Sequence, residues 1–388
     1  MAIDCLHLIT GEYPPQPGGV ADYTALLGRE LAKAGADVHV WSSTGPETPT
    51  TSEVTVHRSA GRWSRADLRR LDAELDAFAP PRRLLVQYVP NAWGYKGMNL
   101  GFCHWLVHRR KRGDEIRVMF HEVWYQLERR DKPARWLLVL VQRLMARALM
   151  DACVCAYVSI PSWESLLRKS ESSGRRPIVW LPVPSNVPLI SDPDAVADVR
   201  RRLVPRGQTL LASFGTFGET IAAMLARIVP RLLQYDQGRV FLLLGRGGDR
   251  FASRLIAEHP DLAGRLISTG GLSPEALSIH LQACDLLIQP YPDGISSRRT
   301  SLMAGLAHGL AVVSNLGPRS EPLWGQGECL ALAPEPNPEA LIRRVESILA
   351  APQDLSALRN SARTFYLNHF EITRTVETIC GTPADVAV

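Results

Sequence analysis

Two periodicities alternate along this chain. Short apolar-rich runs recur at residues 3–10, 37–42, 83–89, 116–120, 152–160 and 178–182, and again at 209–214, 240–244, 266–268, 286–289 and 311–314. Near-continuous runs of this length suit strands buried on both faces of a parallel sheet. Between them, apolar residues return every three or four positions, the spacing of an amphipathic helix. Val20, Tyr23, Leu27, Leu31 and Ala34 form one such stripe, with Gly35 as its stop. Ile221, Leu225, Ile228 and Leu232 form another, and Leu302, Met303, Leu306 and Leu310 a third. Residues 100–111 and 162–167 read as helices as well. Strand alternating with helix predicts an α/β fold. Prolines crowd between the two series, at Pro182, Pro184, Pro188, Pro193 and Pro205, which sets a linker at 184–206.

A length of 388 residues suits two domains of ordinary size. The formal charge is 44 − 39 = +5, which fits anionic small molecules or an anionic membrane surface and is too weak to argue for nucleic acid. The 7 cysteines are scattered, several in strand-like runs, so reduced buried thiols in a cytoplasmic protein are expected. With no matching His or Cys cluster, no metal site is expected. No signal peptide and no spanning segment of roughly 20 apolar residues is visible.

The stretch 284–315 concentrates the chemistry. A strand runs into the turn residues Pro292, Asp293 and Gly294. Ser296 or Ser297 then caps a helix with Arg298, Arg299 and Thr300 in its first turn. Cations are disfavoured at a helix N-terminus. An anion at that terminus would explain the pair, because free N–H groups, hydroxyls and guanidinium forks suit phosphate oxygens. The alternative is that both arginines pair with carboxylates elsewhere. Glycines recur at other strand ends: Gly18 and Gly19, Gly215 with Thr216, Gly245-Arg246-Gly247-Gly248, and Gly270-Gly271. That is where open parallel sheets bind ligands. No G-x-G-x-x-G follows any strand, so a dinucleotide site is not supported. His121 and Glu122 end another strand, placing an imidazole where it would act as a base or hold a hydroxyl. Residues 108–112 are basic (HRRKR), and 129–150 set Trp136, Leu137, Val141, Leu144 and Leu149 against Arg129, Arg130, Arg135, Arg143 and Arg147. Such a helix lies on an anionic membrane or presents a solvated basic side.

The chain resembles the family 4 glycosyltransferases of the GT-B fold. The resemblance rests on EYPPQPGGVADYT (12–24), the strand-end His121, GRGG (245–248), STGGLSPEAL (268–277), ACDLLIQPY (283–291) and MAGLAHGLAVVSNLG (303–317). It covers almost the whole chain, and the order of the motifs is more telling than any one of them. It implies two Rossmann-like domains facing across a cleft. They would be an acceptor-binding domain at 1–183, the linker at 184–206, a nucleotide-sugar-binding domain at 207–365, and a C-terminal helix within 366–388 crossing back. It also implies sugar transfer from a nucleotide-sugar, with no cofactor, no bound metal and retained anomeric configuration. The acceptor would be a glycan or polyprenyl-linked molecule at the cytoplasmic face of a membrane.

Two departures alter the residues expected to act. The family commonly carries two glutamates, and aligned on Gly309 those positions hold Ser296 and Ala304. It also tends to place Arg and Lys after the first strand of the second domain, where residues 215–219 (GTFGE) have neither. Phosphate binding would then fall to Arg298 and Arg299, with Arg246, Ser296, Ser297, Thr300, Gly215, Thr216, Gly271 and Leu272 around the donor. Asp293 or Glu321 would take a sugar or ribose hydroxyl. Gly18 and Gly19 would approach the donor phosphate, and Glu12, Asp22 and Glu122 the acceptor, with His121 holding sugar or acceptor. A non-catalytic relative of the same fold and a nucleotide-sugar epimerase remain as alternatives.

Overall fold

A computed structural model describes residues 5–43, 45, 53–94, 96–127, 131–170, 176–326 and 329–381. The chain forms two compact units, one of Met1–Val183 with Ile372–Val388, the other of Pro184–Glu371. In the first unit the strands are β1 (Cys5–Thr10), β2 (Asp37–Ser42), β3 (Val54–His57), β4 (Arg83–Tyr88), β5 (Glu115–Phe120), β6 (Cys155–Val158) and β7 (Ile178–Trp180). They form one parallel sheet in the order β3-β2-β1-β4-β5-β6-β7. In the second unit β8 (Thr209–Phe214), β9 (Arg239–Leu244), β10 (Leu266–Gly270), β11 (Leu286–Ile288), β12 (Ala311–Asn315) and β13 (Ala331–Ala333) form a parallel sheet in the order β10-β9-β8-β11-β12-β13. Both are Rossmann-like. Each sheet winds outward from its first strand, reverses, and winds out on the other side.

The central strands are buried along nearly their whole length, which is why their sequences are largely apolar runs. Helix Gly19–Lys33 buries Tyr23, Leu27 and Leu31, the stripe seen in the sequence. Some elements differ from expectation. The segment 184–206 is no plain linker. It holds helix Pro193–Leu203, capped by Asp192, and Arg200 of that helix bonds Ala283 O at 2.8 Å and Asp285 Oδ2 at 2.9 Å. Helix Pro352–His369 belongs to the second unit, while within 366–388 helix Ile372–Cys380 belongs to the first. There Val376 and Ile379 pack into a core with Leu6, Leu8, Tyr23 and Leu27, and Arg117 donates to Ile379 O at 2.7 Å.

The basic segments divide in two. Arg109 is fully buried, with Nε on Asp114 Oδ2 at 2.5 Å and Nη1 on Asp76 and Asp72 at 2.8 and 3.1 Å, so it belongs to the core and not to a solvated basic patch. Helix Pro133–Ala152 is apolar on two sides. Val139, Met145, Leu149 and Met150 face the core, while Trp136, Leu137, Leu140 and Leu144 are 64%, 61%, 55% and 46% exposed. Arg143 and Arg147 lie on that outer face. Leu149 is therefore core, Val141 half-buried, and Arg129 and Arg130 lie outside the described residues. No helix among the described residues is long and apolar enough to cross a membrane.

Candidate functional site

An open parallel sheet offers its ligand crevice at the carboxyl ends of the strands where the strand order reverses. In the second unit that point lies between β8 and β11. Gln289 spans it, accepting from Ser213 Oγ at 3.1 Å and donating to Phe214 O at 2.9 Å. The loops after β8, β9 and β10 close on one another. Gly245 donates to Gly270 O at 3.1 Å, and Gly215 to Leu244 O at 3.0 Å. A Cβ on Gly245 would stand 2.3 Å from Gly215 O, and Gly245 has φ of +116°, so only glycine fits. The exposed Arg246 lies across Gly271, where a Cβ would meet its Cγ at 3.2 Å, with Leu272 half-buried beside it. The structure thus gathers Gly215, Thr216, Arg246, Gly271 and Leu272 on one edge of the sheet. Arg246 makes no ion pair among the described residues.

The loop after β11 is organised by Asp293. Arg298 Nη2 meets its Oδ2 at 2.9 Å, Arg299 pairs with its Oδ1, and Arg319 Nε stands 3.8 Å from Oδ2. Burial disfavours charge on this carboxyl, but Arg299 and Arg298 outweigh it and hold its pKa below the usual range. Arg299 also stacks over the Tyr291 ring at 4.7 Å, and its Nε is buried without a hydrogen-bond partner. Three guanidinium groups therefore share one carboxylate. Asp293, expected at a sugar or ribose hydroxyl, is engaged by arginines, and Arg298 and Arg299 both pair with it.

The helix begins later than expected, at Thr300, with Arg299 at its cap position. Neither Ser296 nor Ser297 caps it. Ser297 gives its N–H and hydroxyl to Glu321 Oε1 at 2.8 and 2.5 Å, and Trp324 Nε1 donates to Oε2 at 2.5 Å. Glu321 is buried and bonded at both oxygens, so it braces the loop. Ser296 Oγ is buried with no hydrogen-bond partner. Gly294, at φ of +87°, lies so close to Gly317 that a Cβ would come within 2.4 Å of its nitrogen. This contact ties the arginine loop to the loop after β12.

In the first unit the reversal falls between β1 and β4. Gly18 makes room for the Glu12 carboxylate, which accepts from Ala21 N at 3.3 Å. Burial raises the Glu12 pKa, while the N–H groups of Ala21 and Val20 pull it back. The helix N-terminus at Gly18-Gly19 thus already holds an anion, and a phosphate reaches it only by displacing Glu12. Asp22 is exposed on the first turn and Glu122 half-buried. His121 is buried with its ring edge against Tyr23 at 4.9 Å, and its Nε2 meets Gln87 Oε1 at 2.9 Å. Burial lowers its pKa to about 3, so the imidazole is neutral near pH 7. Taking Gln87 Oε1 as acceptor puts the proton on Nε2 and leaves Nδ1 a lone pair. Such a group accepts a hydrogen bond well and is a poor base. The sequence reading missed Gln87, Gln289, Tyr291 and Arg319. A glutamine at the end of each apolar run, RLLVQY and LLIQ, was the available signal.

No family model and no curated protein matches the sequence. Solved structures do. Sucrose-phosphate synthase from Thermosynechococcus elongatus is 17% identical, with 97% of each chain covered and a TM-score of 0.74. WaaG, a glycosyltransferase involved in lipopolysaccharide biosynthesis, is 15% identical over 98% of this chain and 100% of its own, with a TM-score of 0.68. Anabaena HepE in complex with UDP is 12% identical over 97% and 98%, with a TM-score of 0.67. At such identities the likeness is one of fold: this chain has the two Rossmann-like domains of the GT-B glycosyltransferase structures.

Proposed function

We propose that this protein is a glycosyltransferase that moves a sugar from a nucleotide-sugar to a glycan or polyprenyl-linked acceptor. The observation that carries this reading is the cluster of Arg298, Arg299 and Arg319 on the carboxylate of Asp293, in the loops that follow β11 and β12. Breaking the bond between the sugar and the diphosphate leaves negative charge on the departing phosphate and positive charge on the sugar ring. Fixed guanidinium groups stabilise that phosphate without a metal. In this reading Arg299 and Arg298 bind the leaving diphosphate. Arg246, Thr216, Thr300 and the N–H groups of Gly215 and Gly271 bound the donor on either side of them. Ser296 stands beside the arginines with its hydroxyl unspent. His121 accepts a hydrogen bond from a sugar or acceptor hydroxyl, and the acceptor proton leaves to the diphosphate or to water. The matched HepE structures hold UDP and UDP-glucose, which supports a nucleotide diphosphate as the donor's anchor.

The exposed apolar face of helix Pro133–Ala152, with Arg143 and Arg147 on it, supports docking on an anionic membrane, where a lipid-linked acceptor would be met. A cytoplasmic protein peripheral to the membrane follows from that reading.

Calorimetric titration with UDP, GDP, ADP and their sugars, without divalent metal, tests the proposal. One nucleotide should bind, and Arg299→Ala should weaken it by roughly 10- to 100-fold, the worth of one charged hydrogen-bonding group. Wild-type affinity in Arg298→Ala and Arg299→Ala alike would remove the arginines from the site. Binding without turnover on any acceptor would favour the non-catalytic reading, to which the absent carboxylates at Ser296 and Ala304 point.

A further inference from the structure

The amino edge of the first sheet, opposite the loops described above, carries a different chemistry. Cys5 opens β1 and Asp37 opens β2, and the two are partners in register, as are His7 and His39. Trp41 pairs in turn with His57 of β3. The period of two places these side chains on one face of the sheet. Donor atoms of Cys5, Asp37 and His39 all lie within 4.8 Å of one another.

Two neighbouring histidines orient this triad. Trp41 Nε1, which only donates, meets His7 Nδ1 at 3.2 Å. Neutral His7 therefore carries its proton on Nε2, which points at Cys5 Sγ from 3.7 Å. Burial and the Asp37 carboxylate raise the Cys5 pKa to about 11, so the thiol gives up its proton only to an incoming ion. His39 Nδ1 meets His57 Nε2 at 2.9 Å, and His57 is stacked on Trp41 with centroids 3.8 Å apart. When His39 donates from Nδ1 to His57, its Nε2 lone pair faces Asp37 Oδ2 at 3.2 Å with no proton between them. A cation satisfies that arrangement. The opposite tautomer is an ordinary chain of hydrogen bonds from His57 through His39 to Asp37.

We propose that Cys5, Asp37 and His39 bind one divalent cation of the zinc class, with His7 and His57 as its orienting outer partners. A thiolate, a carboxylate and a neutral imidazole bring two negative charges, which balance the ion. The mix of sulfur, nitrogen and oxygen suits Zn²⁺. Tetrahedral bonds of about 2.0–2.3 Å ask for donors about 3.3–3.7 Å apart, a small closure from the present spacing. Asp37 is exposed, which gives the ion an entry path and leaves a position for water. The site ties β1 to β2 and takes no part in sugar transfer. It is invisible as a sequence motif because the ligands come from two strands and are joined by register.

The test uses the full chain, stripped with chelator and titrated with Co²⁺. One equivalent should bind with a thiolate-to-cobalt charge-transfer band, and Zn²⁺ should displace it. Cys5→Ser should lose the band, while Cys155→Ser, which alters a buried thiol elsewhere, should keep it. Asp37→Asn changes an exposed side chain and should fold as the wild type. It should weaken Co²⁺ at least tenfold, and His57→Gln about tenfold. Zn²⁺ should raise Tm in the wild type and not in Asp37→Asn. The absence of a saturable band, or a band unchanged in Cys5→Ser, overturns the site and leaves the hydrogen-bonded chain as the function of these histidines.

Discussion

Asp293 shows how one carboxylate decides what several cations do. If it serves only as a counter-charge, Asp293→Asn should tighten nucleotide binding by unmasking the arginines. If it positions them, the same change should weaken binding despite the added positive charge. We expect weakening, read by calorimetry. His121 allows a second prediction. Its folded pKa of about 3 lies below the ordinary 6.5, so between those values the unfolded chain binds a proton that the folded chain does not. Stability therefore rises with pH across that window and falls on acidification, by about 2 kcal/mol between pH 7 and pH 5. His121→Gln should flatten that part of the curve in denaturant titrations followed at several pH values. Arg109 supplies a third. Asp114→Asn should cost on the order of 3–5 kcal/mol, because it leaves a buried guanidinium short of a partner. At this scale the positions were legible and the partners were not. His121 could be placed at a strand end from the apolar pattern alone, but Gln87 reaches it from another strand. Likewise nothing local says that Ser297 is spent on Glu321, or that Asp293 is spent on arginines.

Among the elements, the strands were the most legible, since burial on both faces leaves a near-continuous apolar run. Two of the missed ones lack that imprint. β3 is a short edge strand, only one of its four residues buried, and helix Pro193–Leu203 buries only Val199. The start of helix Thr300–Ala307 was misplaced because Ser297 serves Glu321 in another loop and the Ser296 hydroxyl caps nothing. Helix Pro133–Ala152 was recognised as amphipathic, yet its outer face carries large apolar side chains as its inner one does. Replacing Trp136, Leu137, Leu140 and Leu144 together by serine removes only exposed side chains. The variant should fold, lose binding to vesicles containing anionic phospholipid, and keep transfer to a water-soluble acceptor. Equal vesicle binding by variant and wild type would show that this face meets something other than lipid. A backbone contact can be probed in the same way. Gly245→Ala should lower Tm, since its Cβ has no room against Gly215 O.

For the molecule as a whole, the order of apolar runs and glycine-bearing turns was enough to foresee two parallel-sheet domains, because each strand–turn–helix unit writes its own period into the chain. What it does not write is the division of labour in the site, which depends on loops brought together across a sheet. The course of the chain has a further consequence. The second unit is continuous, whereas the first is completed only by helix Ile372–Cys380. A fragment of residues 184–371 should therefore unfold cooperatively by itself. A fragment of residues 1–183 should associate through the face that Val376 and Ile379 cover, as sedimentation would show. On the ribosome the order of completion inverts the order of synthesis. About 200 residues separate Val183 from the returning helix, which at about 5–20 residues per second is a wait of roughly 10–40 s. During that interval the nascent amino-terminal half presents an unfinished core, and it is there that a chaperone would find its client.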